Sequence, residues 1–146
     1  MSVNPVRAFE NEFCRFVGSK HAVAVSNGTA ALTVALISTG IKNNRVIITT
    51  PFTFPATANA ILAVGCKPFF VDIKRNSVLI DERKVEEIIK SRLDITAVIP
   101  VHLFGQTANV SYLGELCSKF GVALVEDASQ ALGAKHRDKF AGTCGS

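Results

Sequence analysis

Two adjacent carboxylates are the residues with the clearest potential for chemistry. Glu126 and Asp127 end an apolar run that begins at Val122 and reads Val-Ala-Leu-Val-Glu-Asp. Removing a carboxylate from water is costly unless a cation or hydrogen-bond donors face it. A positively charged group on a ligand would serve that purpose here. The alternative is that Asp127 caps the turn that follows, a position that Asp favours.

A second candidate is the turn that reads Ser-Asn-Gly-Thr-Ala-Ala from Ser26 to Ala31. A polar, glycine-containing turn that leads into a helix directs backbone N–H groups and the positive end of the helix dipole toward one point. This predicts an anion site at Gly28 and Thr29, best suited to a phosphate. An ordinary N-capping turn has the same composition, and the dinucleotide-binding and Walker fingerprints are both absent.

Aromatic and imidazole side chains follow two other apolar runs. Phe52 and Phe54 lie in the sequence Thr-Pro-Phe-Thr-Phe-Pro, where they either stack on a planar ligand or pack into the core, as most Phe residues do. His102 ends a further run, in Pro-Val-His-Leu-Phe-Gly. It either lines the same cleft or has a structural role fixed by one hydrogen bond.

Five runs rich in Val and Ile are predicted to be the strands that position these groups. Each is nearly continuous in apolar residues instead of alternating, which is typical of strands covered on both faces in a parallel sheet. The predicted strands are residues 21–25, 45–50, 67–73, 97–102 and 122–127.

Segments of helical length separate these strands, and many of their ends carry capping residues. Alternating helices and strands with right-handed crossovers predict an α/β fold with a doubly wound, mostly parallel sheet. Ligands bind such sheets beyond the carboxyl ends of the strands, so Gly28, Phe54 and Asp127 are expected to converge there. The predicted helices are a leading helix within residues 1–20 that carries Phe9, Phe13 and Phe16, and helices at 28–40, 55–65, from an Asp81 cap, and from Asn109 to Gly121.

Composition limits the class of protein. The 146 residues, 48% hydrophobic and 19% charged, predict one globular domain or part of one. No apolar run reaches the roughly 18 residues that a membrane-spanning helix needs, so a cytoplasmic protein without a membrane partner is expected. The net charge of +4 is scattered along the chain, which argues against a nucleic-acid partner. Four cysteines without a Cys-x-x-Cys pair predict no metal site.

Five motifs, in their order along the chain, resemble the DegT/StrS group of nucleotide-sugar aminotransferases. These enzymes have the aspartate-aminotransferase-like fold of pyridoxal-phosphate (PLP) enzymes of fold-type I. The resemblance extends from Phe9 to Gly142. The motifs read V-S-N-G-T-A-A-L, T-P-F-T-F-P-A-T-A-N, F-V-D-I, I-P-V-H-L-F-G and V-E-D-A-S-Q-A-L-G-A.

The resemblance implies a PLP site and a role for each residue in it. The turn at Gly28 and Thr29 matches the one that holds the cofactor phosphate, and Phe54 matches the aromatic residue that stacks on the pyridine ring. Asp127 matches the carboxylate that pairs with the ring nitrogen and keeps it protonated, so that the ring acts as an electron sink. Gln130 matches a residue placed near the ring hydroxyl.

The reaction implied is transfer of an amino group, usually from glutamate, to a keto-sugar attached to a nucleotide, in a homodimer. The lysine that attaches the cofactor as a Schiff base is expected beyond Ser146. Residues 1–146 are therefore interpreted as a partial large domain without the small domain, in which the strand at 21–25 pairs with a strand from beyond Ser146. Lys135 and Lys139 lie in a polar stretch predicted to be an exposed turn.

Three other functions remain open at this stage. Some relatives carry histidine in place of the lysine and are sugar dehydratases. A non-catalytic cofactor-binding or dimerisation fragment is the second alternative. The third is a nucleotide-binding domain in which Asp127 accepts ribose hydroxyls, but the acidic residue expected about 20 positions after the glycine-rich turn falls near 45–50, where there is none.

Overall fold

The computed structural model describes residues 4–146. Helices and strands alternate over most of this range, and a short hairpin follows. The elements are α1 (Pro5–Val17), α2 (Gly28–Ser38), β1 (Val46–Thr49), α3 (Ala56–Ala63), β2 (Lys67–Phe70), α4 (Glu82–Ser91), β3 (Ile95–Val98), α5 (Val110–Phe120), β4 (Ala123–Leu124), β5 (Lys135–His136) and β6 (Lys139–Phe140).

Strands β1 to β4 form one parallel sheet in the order β2-β1-β3-β4. The pairing of β3 with β4 continues past both strands, because Asp127 N–H donates to the Pro100 carbonyl at 3.0 Å and His102 N–H donates to the Asp127 carbonyl at 2.9 Å. From β1 the chain moves to one edge of the sheet, and from β3 it moves to the other. The switch point of the sheet therefore lies between β1 and β3, where clefts form in α/β folds.

Helices cover both faces of this sheet, which confirms the predicted doubly wound α/β class. Val46 and Ile48 of β1 pack with α4 and α5 in one buried cluster, whereas Ile47 packs with α2 and α3 in the other. Successive side chains of a strand point to opposite faces, so one continuous apolar run serves both cores. This accounts for the absence of apolar–polar alternation in the strand sequences.

Residues 21–25 form no strand among the described residues, so the prediction of five strands in one sheet is wrong. The predicted pairing of this segment with a strand from beyond Ser146 stays a prediction. This segment has no strand assignment, and Val23 is 76% exposed. A strand needs a neighbour that supplies hydrogen-bond partners, and the four-stranded sheet of the described residues leaves none beside it. One backbone group of the segment is bound otherwise, since Ala24 N–H donates to Glu10 Oε1 of α1 at 2.8 Å.

Most helix ends follow the predicted caps. Asp81 and Asn109 accept hydrogen bonds from the first turns of α4 and α5, and Gly121 ends α5 with a φ of 65°. The polar stretch predicted as an exposed turn is instead the β5–β6 hairpin, because Lys135 pairs with Phe140 across a two-residue turn. Both hairpin lysines are nevertheless exposed.

Candidate active site

Asp127 lies beyond the carboxyl end of β4 and is 5% exposed. Its Oδ2 atom accepts a hydrogen bond from the Thr57 hydroxyl at 2.7 Å. Its Oδ1 atom accepts from the Ser129 hydroxyl at 2.7 Å and from Ser129 N–H at 3.3 Å. Asp127 thus caps its own turn, as the alternative from the sequence predicted, and at the same time contacts the helix that follows β1.

These contacts explain why a buried carboxylate is tolerated at this position. Two hydroxyls and one backbone N–H replace part of the water that Asp127 loses on burial. An ionised carboxylate has about four acceptor positions, so acceptor capacity remains for a further donor. Such a donor would reach Asp127 from the cleft that its side chain lines.

Gly28, the first residue of α2, lines the same cleft as Asp127, and the cleft has a volume of about 480 Å³. The side chain of Asn27, the N-cap residue, accepts from Ala30 N–H at 2.9 Å. The first turn of a helix offers N–H groups that have no intrahelical acceptor, which leaves those of Gly28 and Thr29 available. A Cβ atom added to Gly28 would meet nothing within 4 Å, so a ligand can approach this backbone closely.

Thr29 and Gly28 differ in their surroundings. Thr29 is half-buried, and its carbonyl accepts from the Thr33 hydroxyl at 2.9 Å. Thr29 is not among the residues that line the cleft with Gly28 and Asp127. At this turn, Gly28 is therefore the residue that borders the cleft.

Phe54 and Gln130 line a second cavity, of about 340 Å³, beyond the ends of β1 and β3. Phe54 is 69% exposed and Phe52 is 46% exposed. The alternative that these two residues belong to the core is therefore wrong. Their rings stand at the rim of the sheet, where a ligand can contact them.

Thr57 connects the two cavities. It lies in the first turn of α3, and its backbone N–H donates to the Phe54 carbonyl at 3.3 Å. Its hydroxyl donates to Asp127 and is 3.1 Å from the Thr53 hydroxyl. Thr57 and Ser129 are the residues that sequence reasoning missed, and only the motifs that contain them, A-T-A-N and E-D-A-S-Q, pointed to their segments.

His102 does not line either of these cavities. It is completely buried, and its Nε2 atom lies 2.8 Å from Glu126 Oε2, while Ala108 N–H donates to its Nδ1 atom at 3.0 Å. Because Nδ1 is an acceptor, Nε2 carries the proton and donates it to Glu126. The geometry therefore supports a structural role for His102 and not a place in the cleft.

Glu126 is the centre of a buried polar network. Besides His102, it accepts from Gly142 N–H at 3.0 Å and from Cys144 N–H at 2.6 Å. Burial acts to raise the pKa of the Glu126 carboxyl, but these hydrogen bonds together outweigh it and lower the pKa below the usual value. The cation expected opposite the two acids is therefore unnecessary for Glu126, because neutral donors surround it.

Two features are absent from residues 4–146: a metal-binding group of side chains and a membrane-spanning helix. No group of three or more His, Cys, Asp or Glu side chains in this range is arranged to hold a metal ion. None of the helices described combines the length and apolar character needed to cross a membrane.

The profile of the DegT/DnrJ/EryC1/StrS aminotransferase family matches residues 2–146. The chain belongs to this family. The resemblance drawn from the five motifs is thereby confirmed, and all of those motifs except F-V-D-I contribute residues to the walls of the two cavities.

Among the similar curated proteins is the UDP-4-amino-4,6-dideoxy-N-acetyl-beta-L-altrosamine transaminase of Campylobacter jejuni, 40% identical over 139 residues. Another is the spore coat polysaccharide biosynthesis protein SpsC of Bacillus subtilis, 40% identical over 140 residues. The alignments cover 94% and 96% of the chain and 36% of each relative. The chain thus spans a little over a third of the length of these relatives.

Solved structures of family members have the same fold. DesV of S. venezuelae superposes with a TM-score of 0.92 and 34% identity, covering 98% of this chain and 38% of that one. A GDP-4-keto-6-deoxymannose-3-dehydratase with a trapped PLP-glutamate geminal diamine superposes with a TM-score of 0.90 and 27% identity, covering the same shares. The predicted fold-type I class of PLP enzymes is confirmed by these similarities.

Proposed function

We propose that the chain forms the cofactor-binding part of a PLP-dependent aminotransferase whose substrates are a nucleotide-linked keto-sugar and an amino-acid donor such as glutamate. The observation that carries this proposal is that buried Asp127 and the first turn of α2 border one cleft. A carboxylate and an anion-binding helix end suit a ligand that has both a cationic ring nitrogen and a phosphate.

Asp127 is the residue assigned to the ring nitrogen of PLP. Thr57 and Ser129 hold its carboxylate in place through three hydrogen bonds, and its remaining acceptor capacity suits one N–H donor. At that position Asp127 keeps a proton on the ring nitrogen, because an adjacent negative charge favours the protonated form. When bound, the protonated ring supplies an electron sink for the substrate carbon that loses its proton.

The other cofactor-binding residues are assigned by the fit of their surroundings. The backbone N–H groups of Gly28 and Thr29 bind the phosphate, since the open space at Gly28 permits close approach. The exposed ring of Phe54 stacks on the pyridine ring. Gln130, which is exposed and shares a cavity with Phe54, is assigned to the ring hydroxyl.

We assign the covalent attachment of the cofactor to a lysine outside residues 4–146. Neither the cleft at Asp127 nor the cavity at Phe54 has a lysine among the lining residues that the structure describes. A lysine must be held at the cofactor carbonyl with a lowered pKa in order to attack it. We also propose a cytoplasmic location, in agreement with the nucleotide-linked substrates that the names of the relatives state.

A homodimer is proposed on the basis of the outer surface of α2 and α3. These two helices pack together, and each exposes large apolar side chains: Val34 is 50%, Ile37 63% and Leu62 57% exposed. Exposed apolar patches mark association sites. Sedimentation of the chain at increasing concentration is expected to show self-association that Ile37→Asp abolishes, and a monomer at every concentration would contradict the proposal.

A sugar dehydratase is the second candidate, favoured by the close superposition on the GDP-4-keto-6-deoxymannose-3-dehydratase. Both candidates use the same cofactor pocket, so Asp127 and Phe54 do not distinguish them. The residue at the cofactor-attachment position distinguishes the two candidate functions, because the resemblance implies lysine for an aminotransferase and histidine for a dehydratase. Sequencing of the gene downstream of the codon for Ser146 tests this directly.

Calorimetric titration of the chain with PLP tests the cofactor site. We expect reversible binding, and we expect Asp127→Asn to weaken it by about tenfold or more, since a hydrogen bond to a charged group contributes about 1.5–3 kcal/mol. Asp138→Asn is the matched control, because Asp138 is exposed in the β5–β6 turn. It should leave the affinity unchanged.

The outcomes of this titration separate the proposals. Equal affinities for the wild type and Asp127→Asn would remove Asp127 from the site. Absence of PLP binding to a folded wild-type chain would favour the non-catalytic alternative over a preformed cofactor site. Circular dichroism of each variant is needed to show that the fold is retained.

A further inference from the structure

Phe104 has a backbone conformation that its residue type disfavours. It lies in a turn from Leu103 to Gln106, closed by a hydrogen bond from Gln106 N–H to the Leu103 carbonyl at 2.9 Å. Phe104 and Gly105 at its centre have φ angles of 53° and 76°. Positive φ at both central positions is the pattern of a type I′ turn, where Asn-Gly and Gly-Gly are preferred. A bulky aromatic residue there is strained.

Neither packing nor turn chemistry accounts for a phenylalanine at this position. The other non-glycine residues with positive φ in residues 4–146 are Asn44 and Arg137. Asparagine tolerates this conformation, and Arg137 occupies the tight turn of a hairpin. Phe104 is 67% exposed and therefore gains little from the core. Backbone strain that the fold does not require is concentrated at ligand sites.

The turn is held firmly, so the position of the ring is defined. Leu103, directly before Phe104, is buried. Gly105 N–H donates to the Gln130 carbonyl at 3.0 Å, which joins the turn to the loop that follows Asp127. The strained residue is thus fixed between a buried anchor and the proposed cofactor site.

The ring of Phe104 forms part of the 340 Å³ cavity beyond β1 and β3. This cavity lies at the switch point of the sheet, the usual ligand position in α/β folds. Phe52, Phe54 and Phe104 supply three rings to its wall, and Gln130 supplies an amide. A cavity with aromatic walls and few polar groups suits rings that have a flat apolar face. Phe54 and Gln130 are assigned to the cofactor ring, which leaves Phe104 for a ring of the substrate beside it.

We infer that Phe104 is a substrate-binding residue, whose ring packs against the flat face of one ring of the nucleotide-linked sugar, beside the cofactor. This inference rests on the proposed function. Both the C–H face of a hexose and the face of a nucleobase have the required chemistry. The strained turn presents the ring of Phe104 to the cavity. Asparagine at this position would relieve the backbone strain, and the contact with substrate explains why phenylalanine is found there instead.

Saturation-transfer NMR with UDP-N-acetylglucosamine as the probe tests this inference, together with thermal unfolding. We expect Phe104→Asn to raise the unfolding midpoint by about 2–4 °C, because the strain is removed. The same change should weaken binding of the probe by about fivefold or more, because a stacking contact is lost. Phe104→Tyr keeps the ring and should retain the affinity. Probe protons that receive saturation only in the wild type and Phe104→Tyr identify hexose or uracil as the contacted ring.

Phe120→Asn is the matched control, because Phe120 is 40% exposed at the far end of α5. It should not change probe binding. A lower unfolding midpoint for Phe104→Asn would overturn the inference, since it would show that the ring stabilises the fold. Unchanged probe affinity in Phe104→Asn, or no binding of the probe to the wild type, would overturn it as well. Dissociation of a wild-type dimer by Phe104→Asn in sedimentation would assign the ring to an interface instead.

PLP titration distinguishes failure of this inference from failure of the proposed function. If PLP binds in a manner that depends on Asp127 but Phe104→Asn leaves the probe affinity unchanged, only the role of Phe104 is wrong. If PLP does not bind, whereas the probe binds in a manner that depends on Phe104, the cofactor assignment is wrong and the sugar-binding residue stands.

Discussion

Replacing Glu126 by alanine should destabilise the fold strongly, although no ligand-binding role is assigned to Glu126. Its side chain accepts three hydrogen bonds, from His102, Gly142 and Cys144. The pair with His102 is almost completely buried, with side-chain exposures of 0% for His102 and 2% for Glu126. Glu126→Ala would leave the buried His102 Nε2–H and the partly buried Cys144 N–H without an acceptor, whereas exposed Gly142 N–H can bind water.

The magnitude follows from leaving a buried donor without an acceptor, which costs about 1–3 kcal/mol per donor, or about 2–6 kcal/mol for the His102 and Cys144 donors together. Typical domains have unfolding free energies of about 5–15 kcal/mol, so this is a large fraction of the total. The corresponding fall in the thermal midpoint is about 4–24 °C for a chain of this size. Glu126→Gln should cost less, about 1–3 kcal/mol. If the amide oxygen of the Glu126→Gln side chain takes the Oε2 position, it keeps the hydrogen bonds from His102 and Gly142. The amide NH₂ then faces Cys144 N–H, so that one hydrogen bond is lost.

Urea unfolding monitored by circular dichroism measures these differences. Glu115→Ala is the matched control, since Glu115 is an exposed acid on α5 and should change the free energy of unfolding by less than about 0.5 kcal/mol. A value for Glu126→Ala within about 1 kcal/mol of the wild type would refute the reasoning. It would show that the donors find other acceptors or that water enters the network.

Three further outcomes are expected. Hydrogen bonds lower the folded-state pKa of Glu126. The stability that the ionised carboxylate contributes is therefore present above its unfolded pKa of about 4.3 and is lost as the pH falls through its folded pKa. Acid unfolding should depend more steeply on pH in the wild type than in Glu126→Gln. Burial raises the pKa of Cys117 to about 12, so at pH 8 iodoacetamide should label half-buried Cys14 before Cys117, and equal rates would contradict this. Borohydride reduction with PLP followed by peptide mapping should label no lysine stoichiometrically, because Lys135 and Lys139 are exposed on the hairpin; stoichiometric labelling of one lysine would show that the chain carries its own catalytic amine.

Local rules were sufficient for many of the element boundaries. Asp81 and Asn109 cap their helices through hydrogen bonds to residues two or three positions away, and Gly121 ends α5 because its own φ is positive. Such interactions involve only neighbouring residues, so composition and spacing predict them. The continuous apolar runs predicted a parallel sheet because a strand covered on both faces needs apolar side chains on both.

The segment 21–25 shows where this reasoning fails. Its Val and Ala residues have the composition of a strand, but a strand also needs hydrogen-bond partners from a neighbour. The four-stranded sheet has no strand beside this segment. Whether an apolar run becomes a strand is thus decided by residues distant in sequence.

The candidate site divides in the same way. The sequence by itself determined that Phe54 and Asp127 follow apolar runs that become parallel strands, whose carboxyl ends lie at one edge of the sheet, and that Gly28 begins a helix. Only the tertiary structure decided that Thr57, 70 residues from Asp127, donates to its carboxylate, and that Phe54 is exposed rather than part of the core. Hydrogen-bond partners and burial depend on the order of strands across the sheet, which the chemistry of neighbouring residues does not specify.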